Sequence, residues 1–202
     1  ATFTANTYTL QVSVPAHGTI TGTGISCATG GDATSADCRE TVTFAQQYTY
    51  SVAADTGYSF AAWGGDCVTN GDGTCTITAD TTPTVSATFT LDQHVLTVTP
   101  PAHGTIATVA PWTGISCATG DAADSAGCTE TFTYFDVVEL SVAADTGYSF
   151  ATWSGCTPVV GTPTHCTVAM TADTTVSATF TANTYTLQVS VPAHGTITGT
   201  GI

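Results

Sequence analysis

Lysine is absent from this 202-residue chain and Arg39 is its only arginine, against fifteen aspartates and glutamates. A surface that binds phosphates needs a cationic footprint, so nucleic-acid recognition is excluded on charge alone. Attraction to anionic membrane surfaces is disfavoured for the same reason. Lys–Asn isopeptide cross-links are chemically impossible, which leaves sulfur, or less readily Thr–Gln esters, for covalent reinforcement. Helix formers are scarce too, with a single methionine and few leucines or glutamates. No apolar run approaches the ~18 residues of a membrane span, so this segment is not expected to insert into a membrane. Catalytic sets are likewise missing. No nucleophile–base–orienter trio recurs, no glycine loop could cradle phosphate, and no carboxylate pair is placed for acid–base work. We expect no enzymatic activity and no cofactor.

What the chain does contain is repetition. Residues 178–202 reproduce residues 1–25 without a change, so the sequence closes on itself after 177 positions. A shorter period lies inside: Leu10 to Thr19 returns as Leu96 to Thr105, shifted by 86. Self-similarity of this kind marks an array of modules. We delimit one unit at 4–89, a second at 90–180, and the start of a third, truncated unit at 181–202. The chain therefore reads as a window of a longer array, and a window taken from mid-array would contain neither leader nor anchor.

Each unit holds four cysteines: Cys27, Cys38, Cys67 and Cys75, then Cys117, Cys128, Cys156 and Cys166. An even, repeating count argues for disulfides and an oxidising compartment, hence an extracellular or cell-surface location. Four cysteines allow three pairings per unit. Neighbour pairing is favoured because the enclosed loops vary in length while the flanking strands do not. Zinc prefers tighter Cys spacings than any found here, and no metal is expected.

Threonine supplies 47 residues, and β-branched and aromatic side chains dominate. Leu10, Val12 and Val14 alternate with Thr9, Gln11 and Ser13, and the same period of two marks Tyr48/Tyr50/Val52 and Val85/Ala87/Phe89. In the second unit it marks Val138/Leu140/Val142 and Val176/Ala178/Phe180. These are half-buried strands, about seven short ones per unit, in an all-β, tandem-module fold stapled by disulfides. Apolar parity flips at each junction, so Thr90–Gln93 and Thr181–Thr184 are expected to be kinked connectors that restrict neighbouring units.

Gly57-Tyr58-Ser59-Phe60-Ala61-Ala62-Trp63-Gly64-Gly65-Asp66-Cys67, then Thr84-Val85-Ser86-Ala87-Thr88-Phe89, forms a recognisable pattern. The second unit carries it as Gly147-Tyr148-Ser149-Phe150-Ala151-Thr152-Trp153-Ser154-Gly155-Cys156, ending at Val176 to Phe180. This resembles the divergent internalin-type B-repeats of bacterial surface proteins, and the opening hairpin with its His-Gly-Thr turn matches too. The resemblance implies a β-grasp-like module working outside the cell as a spacer in large adhesin-like proteins. The cysteine-bounded insertion after the second strand and the lack of lysine depart from the family pattern.

Other residues are candidates for sites. His17, His103 and His194 recur in one turn and read as turn residues before glycine rather than metal ligands. His94 and His165 have no counterpart, so a repeated site cannot use them. Trp63 and Trp153 read as core anchors. Trp112, within an insertion at Ala107 to Thr113 unique to the second unit, is the candidate for an intermolecular or glycan contact. Asp66, Asn70 and Asp72 crowd one loop, but its equivalent lacks acids, so calcium is not expected. Asp55 and Asp145 are expected to bond their own turns. The expected role is a structural stalk or fibre segment whose partners are neighbouring repeats of the same protein. The alternative is an adhesin module binding surface glycans.

Overall fold

The computed structural model describes residues 1–190 and 192–199. Among them there is no helix, and eighteen strands form four sheets. The first repeat contains β1 (Thr7–Val12), β2 (Gly18–Gly22), β3 (Ile25–Ala28), β4 (Arg39–Thr43), β5 (Gln47–Ala54), β6 (Tyr58–Gly65), β7 (Val68–Thr69), β8 (Cys75–Thr78) and β9 (Thr84–Leu91). The second contains β10 (Gln93–Val98), β11 (Gly104–Thr108), β12 (Ser116–Ala118), β13 (Thr129–Thr133), β14 (Val137–Ala144), β15 (Tyr148–Ser154), β16 (Thr157–Val159), β17 (Thr162–Ala169) and β18 (Thr174–Ala182). Nine strands per repeat exceed the seven read from alternation. The excess comes from two- to four-residue strands beside the cysteine loops, too short to show a period.

In the first repeat the sheets run β4-β1-β9-β6 and β3-β2-β5-β8-β7; the second repeats this order as β13-β10-β18-β15 and β12-β11-β14-β17-β16. The first and last strands of the first repeat are neighbours, and β1 pairs parallel to β9 through Gln11↔Thr84 and Val12↔Val85. Leu10 and Val12 from β1, Ile20 from β2, Tyr50 from β5, Ile77 from β8 and Val85 from β9 meet in one buried cluster. The core thus lies between the inner faces of two sheets, while Thr7, Thr9 and Gln11 face water.

The spacing Phe60-x-x-Trp63 conflicts with strict alternation, and a bulge resolves it. The β6–β9 register slips between Phe60 and Ala62, so Phe60 and Trp63 both pack against the core, with ring centroids 5.4 Å apart. The slip recurs between Phe150 and Thr152. An extra residue on one strand re-aims the side chains beyond it.

The parity flip between repeats falls on one residue. β9 runs through Leu91 and β10 starts at Gln93, leaving Asp92 between them, shorter than the expected four-residue connector. Residues 183–190 repeat the β1 sequence without forming a strand, since β1 owes its pairing to β4 and β9. Val191 and Thr200 to Ile202, also part of the third unit, lie outside the described residues.

Two compact units emerge. One comprises Ala1–Leu96 with Thr131–Val137 and Ala169–Thr174; the other comprises Thr97–Glu130, Val138–Val168 and the chain from Thr175. The first unit therefore takes in the β13–β14 turn.

Candidate functional site

The Pro15-Ala16-His17-Gly18 turn and the Asp55-Thr56-Gly57 turn meet at one tip of the first repeat. The Asp55 amide donates to the His17 carbonyl at 3.3 Å, and the Tyr58 amide to the Asp55 carbonyl at 3.0 Å. The His17 and Tyr58 rings consequently stack, with centroids 3.8 Å apart and planes 7° from parallel. His103 and Tyr148 repeat the stack at 3.7 Å and 11°. The recurring histidine is therefore more than a turn residue: it makes half of an aromatic platform. His194, its third copy, is exposed.

A hydroxyl ties the platform to the cysteine loop. Thr29 Oγ1 accepts from the Gly18 amide at 2.6 Å and donates to Asp55 Oδ2 at 2.9 Å. Thr119 does the same between Gly104, at 2.7 Å, and Asp145, at 3.1 Å. The Asp55 and Asp145 carboxylates thus reach across to another loop, a correction to the expectation that they bond their own turns. Gly18 is required here because a Cβ would lie 2.5 Å from the Phe89 ring and 2.6 Å from the Ala53 carbonyl. Sequence reasoning missed this hub; its signal was the identical Cys-Ala-Thr-Gly after β2 and β11.

Within the first compact unit the platform is covered. Asp92 donates its amide to the Gly57 carbonyl at 2.9 Å and accepts Ser59 Oγ at 2.5 Å. The Tyr134 amide then donates to the Asp92 carbonyl at 2.8 Å. The Tyr134 ring lies over Gly57 so closely that a Cβ there would sit 2.5 Å from it, and Phe135 approaches Tyr58 with centroids 6.4 Å apart. Phe135 holds φ at 73°, and Ala45 in the matching β4–β5 turn holds 59°. Positive φ is rare for residues other than glycine, and a bulky side chain there marks a constrained turn. His94 adds a 3.4 Å contact to Asp173, whose Oδ1 also accepts the Val95 amide.

The eight cysteines form four disulfides: Cys27–Cys38, Cys67–Cys75, Cys117–Cys128 and Cys156–Cys166, with Cα separations of 4.7, 5.5, 4.6 and 5.8 Å. Asp121 lies near the Cys117–Cys128 sulfurs, but disulfide sulfur is a poor metal ligand, and its Oδ2 accepts the Ala118 amide at 2.7 Å. In the other acidic loop Asp72 Oδ1 accepts the Thr74 amide and hydroxyl at 3.0 and 2.7 Å. Those bonds hold the Asp72 carboxyl below the ordinary carboxylate range. Asp66 Oδ2 is bonded to Thr84, and Asn70 donates to Thr74 and Thr76. These side chains tie turns together.

Trp153 is buried and Trp63 half-buried, their indole N–H groups donating to the Pro163 and Gly73 carbonyls. Trp112 follows the cis Ala110–Pro111 bond, is half-buried, and donates its amide to the Val109 carbonyl at 3.0 Å. Glu139 accepts a 2.7 Å contact from His165 Nδ1, a pairing confined to the second repeat.

Residues 94–184 match the family model of the divergent InlB B-repeat domain. The match spans the second repeat and its GYSF-x-x-W segment. Neither a curated protein nor a solved structure matches the chain.

Proposed function

We propose that the chain, whose residues 94–184 match the divergent InlB B-repeat domain, is a surface-protein repeat and a spacer segment of an extracellular stalk or fibre. Its partners are neighbouring repeats of the same protein, and it performs no catalysis. One observation carries the reading: the same two-sheet, twice-clasped module occurs in tandem with identical strand order and a one-residue connector. Duplicating a module adds length, whereas a ligand site would need residues that converge. The side chains that do converge, the His–Tyr stack and the Thr–Asp hub, bond to each other and to turns. The four disulfides support an oxidising location. The alternative, an adhesin role, draws on Trp112, a half-buried residue in the insertion that the first repeat lacks.

Immunogold electron microscopy of intact producing cells tests the proposal. Label along projections outside the envelope is expected. Label confined to the cell interior, or globular particles without projections, would overturn it.

A further inference from the structure

The two copies of Asp-Thr-Gly-Tyr-Ser-Phe have identical sequences and different surroundings. Gly57 is buried beneath the Tyr134 ring, whereas Gly147 is exposed and has open space where a Cβ would project, among the described residues. The platform itself is complete in both, since the His103–Tyr148 stack, the Thr119–Asp145 bond and the Asn183 amide on the Gly147 carbonyl, at 2.8 Å, match their first-repeat counterparts. Ser149 Oγ contacts Asn183 Oδ1 at 2.6 Å as Ser59 contacts Asp92. Only the cover differs.

We infer that the exposed Gly147–Tyr148 platform is the docking site for the Phe44–Ala45 turn of a further copy of the first repeat. This rests on the spacer reading and names the surface by which one repeat holds the next. The occupant follows from residue correspondence. Asn183 is the copy of Asn6 in the unchanged 25-residue recurrence, and the Asn6 carbonyl accepts the Phe44 amide at 2.8 Å. That bond equals the one from Tyr134 to Asp92 in the covered platform. A first repeat built on Asn183 therefore brings its Phe44 to Gly147 by the route that brings Tyr134 to Gly57. The turn has the features that such a cover needs. Phe44 is 49 % exposed, held beside Tyr8 with centroids 6.3 Å apart, and followed by Ala45 at positive φ. Ala45 stands where the second repeat has Phe135, so Phe44 must supply the cover and Tyr148 stays the less covered ring. Connection through the chain raises the local concentration of turn and platform, and a modest contact then suffices.

The test uses the chain extended past Ile202 by its own residues 26–89, which completes a second first-type repeat. Nuclear Overhauser contacts are expected between the ring of the added copy of Phe44 and Gly147 Hα, together with about tenfold slower amide exchange at residues 147–148. Replacing that phenylalanine by Ser should return both to the values of the 202-residue chain. A folded third repeat without those contacts would overturn the inference. A second measurement needs no extension: in the 202-residue chain, Tyr134→Ser should speed exchange at Gly57 and Tyr58 to the rate of Gly147 and Tyr148. Unchanged exchange there would remove the precedent and sink the proposal, whatever surface location is found.

Discussion

Tyr50 and Gly22 are cross-strand partners, and the Tyr50 ring occupies the space a Cβ on Gly22 would need. The corresponding pair in the second repeat is Leu140 with Thr108, a smaller inward residue opposite a larger one. Volume is thus conserved across the pair rather than at either position. The Tyr50 side chain is fully buried and its hydroxyl has no hydrogen-bond partner among the described residues. Burial, then the neighbouring Tyr48 and Glu40, pushes the phenol up to about 12. An acid raised in this way contributes its full stability below its unfolded value near 10. That contribution falls as pH climbs towards 12, by about 1.4 kcal/mol per unit. Tyr50→Phe should therefore raise stability by roughly 1 kcal/mol at neutral pH, by removing an unsatisfied buried hydroxyl. It should also shift alkaline unfolding to higher pH. Denaturant midpoints measured between pH 7 and pH 11 check both effects.

Cys27 and Cys38 are buried in the core and close a loop of 11 positions, while Cys67–Cys75 closes 8 beside a half-buried sulfur. Replacing Cys27 and Cys38 together by Ala should cost about 3 kcal/mol in the chain-entropy picture, with lost packing in addition. Denaturant titration of the double variant measures the cost, and non-reducing peptide mapping should recover the four neighbour pairs. The long strands were legible because Leu10, Val12, Tyr50, Val85 and Ala87 bury every second residue over a run long enough to show a period. The strands β3, β7, β12 and β16 were not, being two to four residues long and held by pairing and disulfides instead of by a pattern of their own. The Phe60-x-x-Trp63 spacing was visible, but its bulge was not, since a register slip is a property of two strands. The His17–Tyr58 stack and the Thr29–Asp55 bond join residues 41 and 26 apart; recurrence flagged His17, Tyr58 and Asp55 without naming their partners, and it did not single out Thr29.

Tandem duplication sets what the molecule can do under load. When a disulfide-intact first repeat is stretched from its ends, the loops behind Cys27–Cys38 and Cys67–Cys75 stay closed. The oxidised first repeat should therefore release about 54 Å less contour than the reduced one, at ~3.4 Å per residue over the 11 and 8 locked positions, less the 4.7 and 5.5 Å that the linked Cα pairs already span. Single-molecule pulling with and without reductant measures the difference. The geometry of β1 beside β9 adds a directional consequence. The strands run the same way, and bonds from the Gln11 amide to the Pro83 carbonyl and from the Ser13 amide to the Val85 carbonyl join them. Tension entering through β1 and leaving through β9 drags the two past each other, so these bonds resist in shear and fail together instead of peeling apart in turn. Gln11→Pro, which deletes one of them, should lower the rupture force of the first repeat and leave that of the second unchanged.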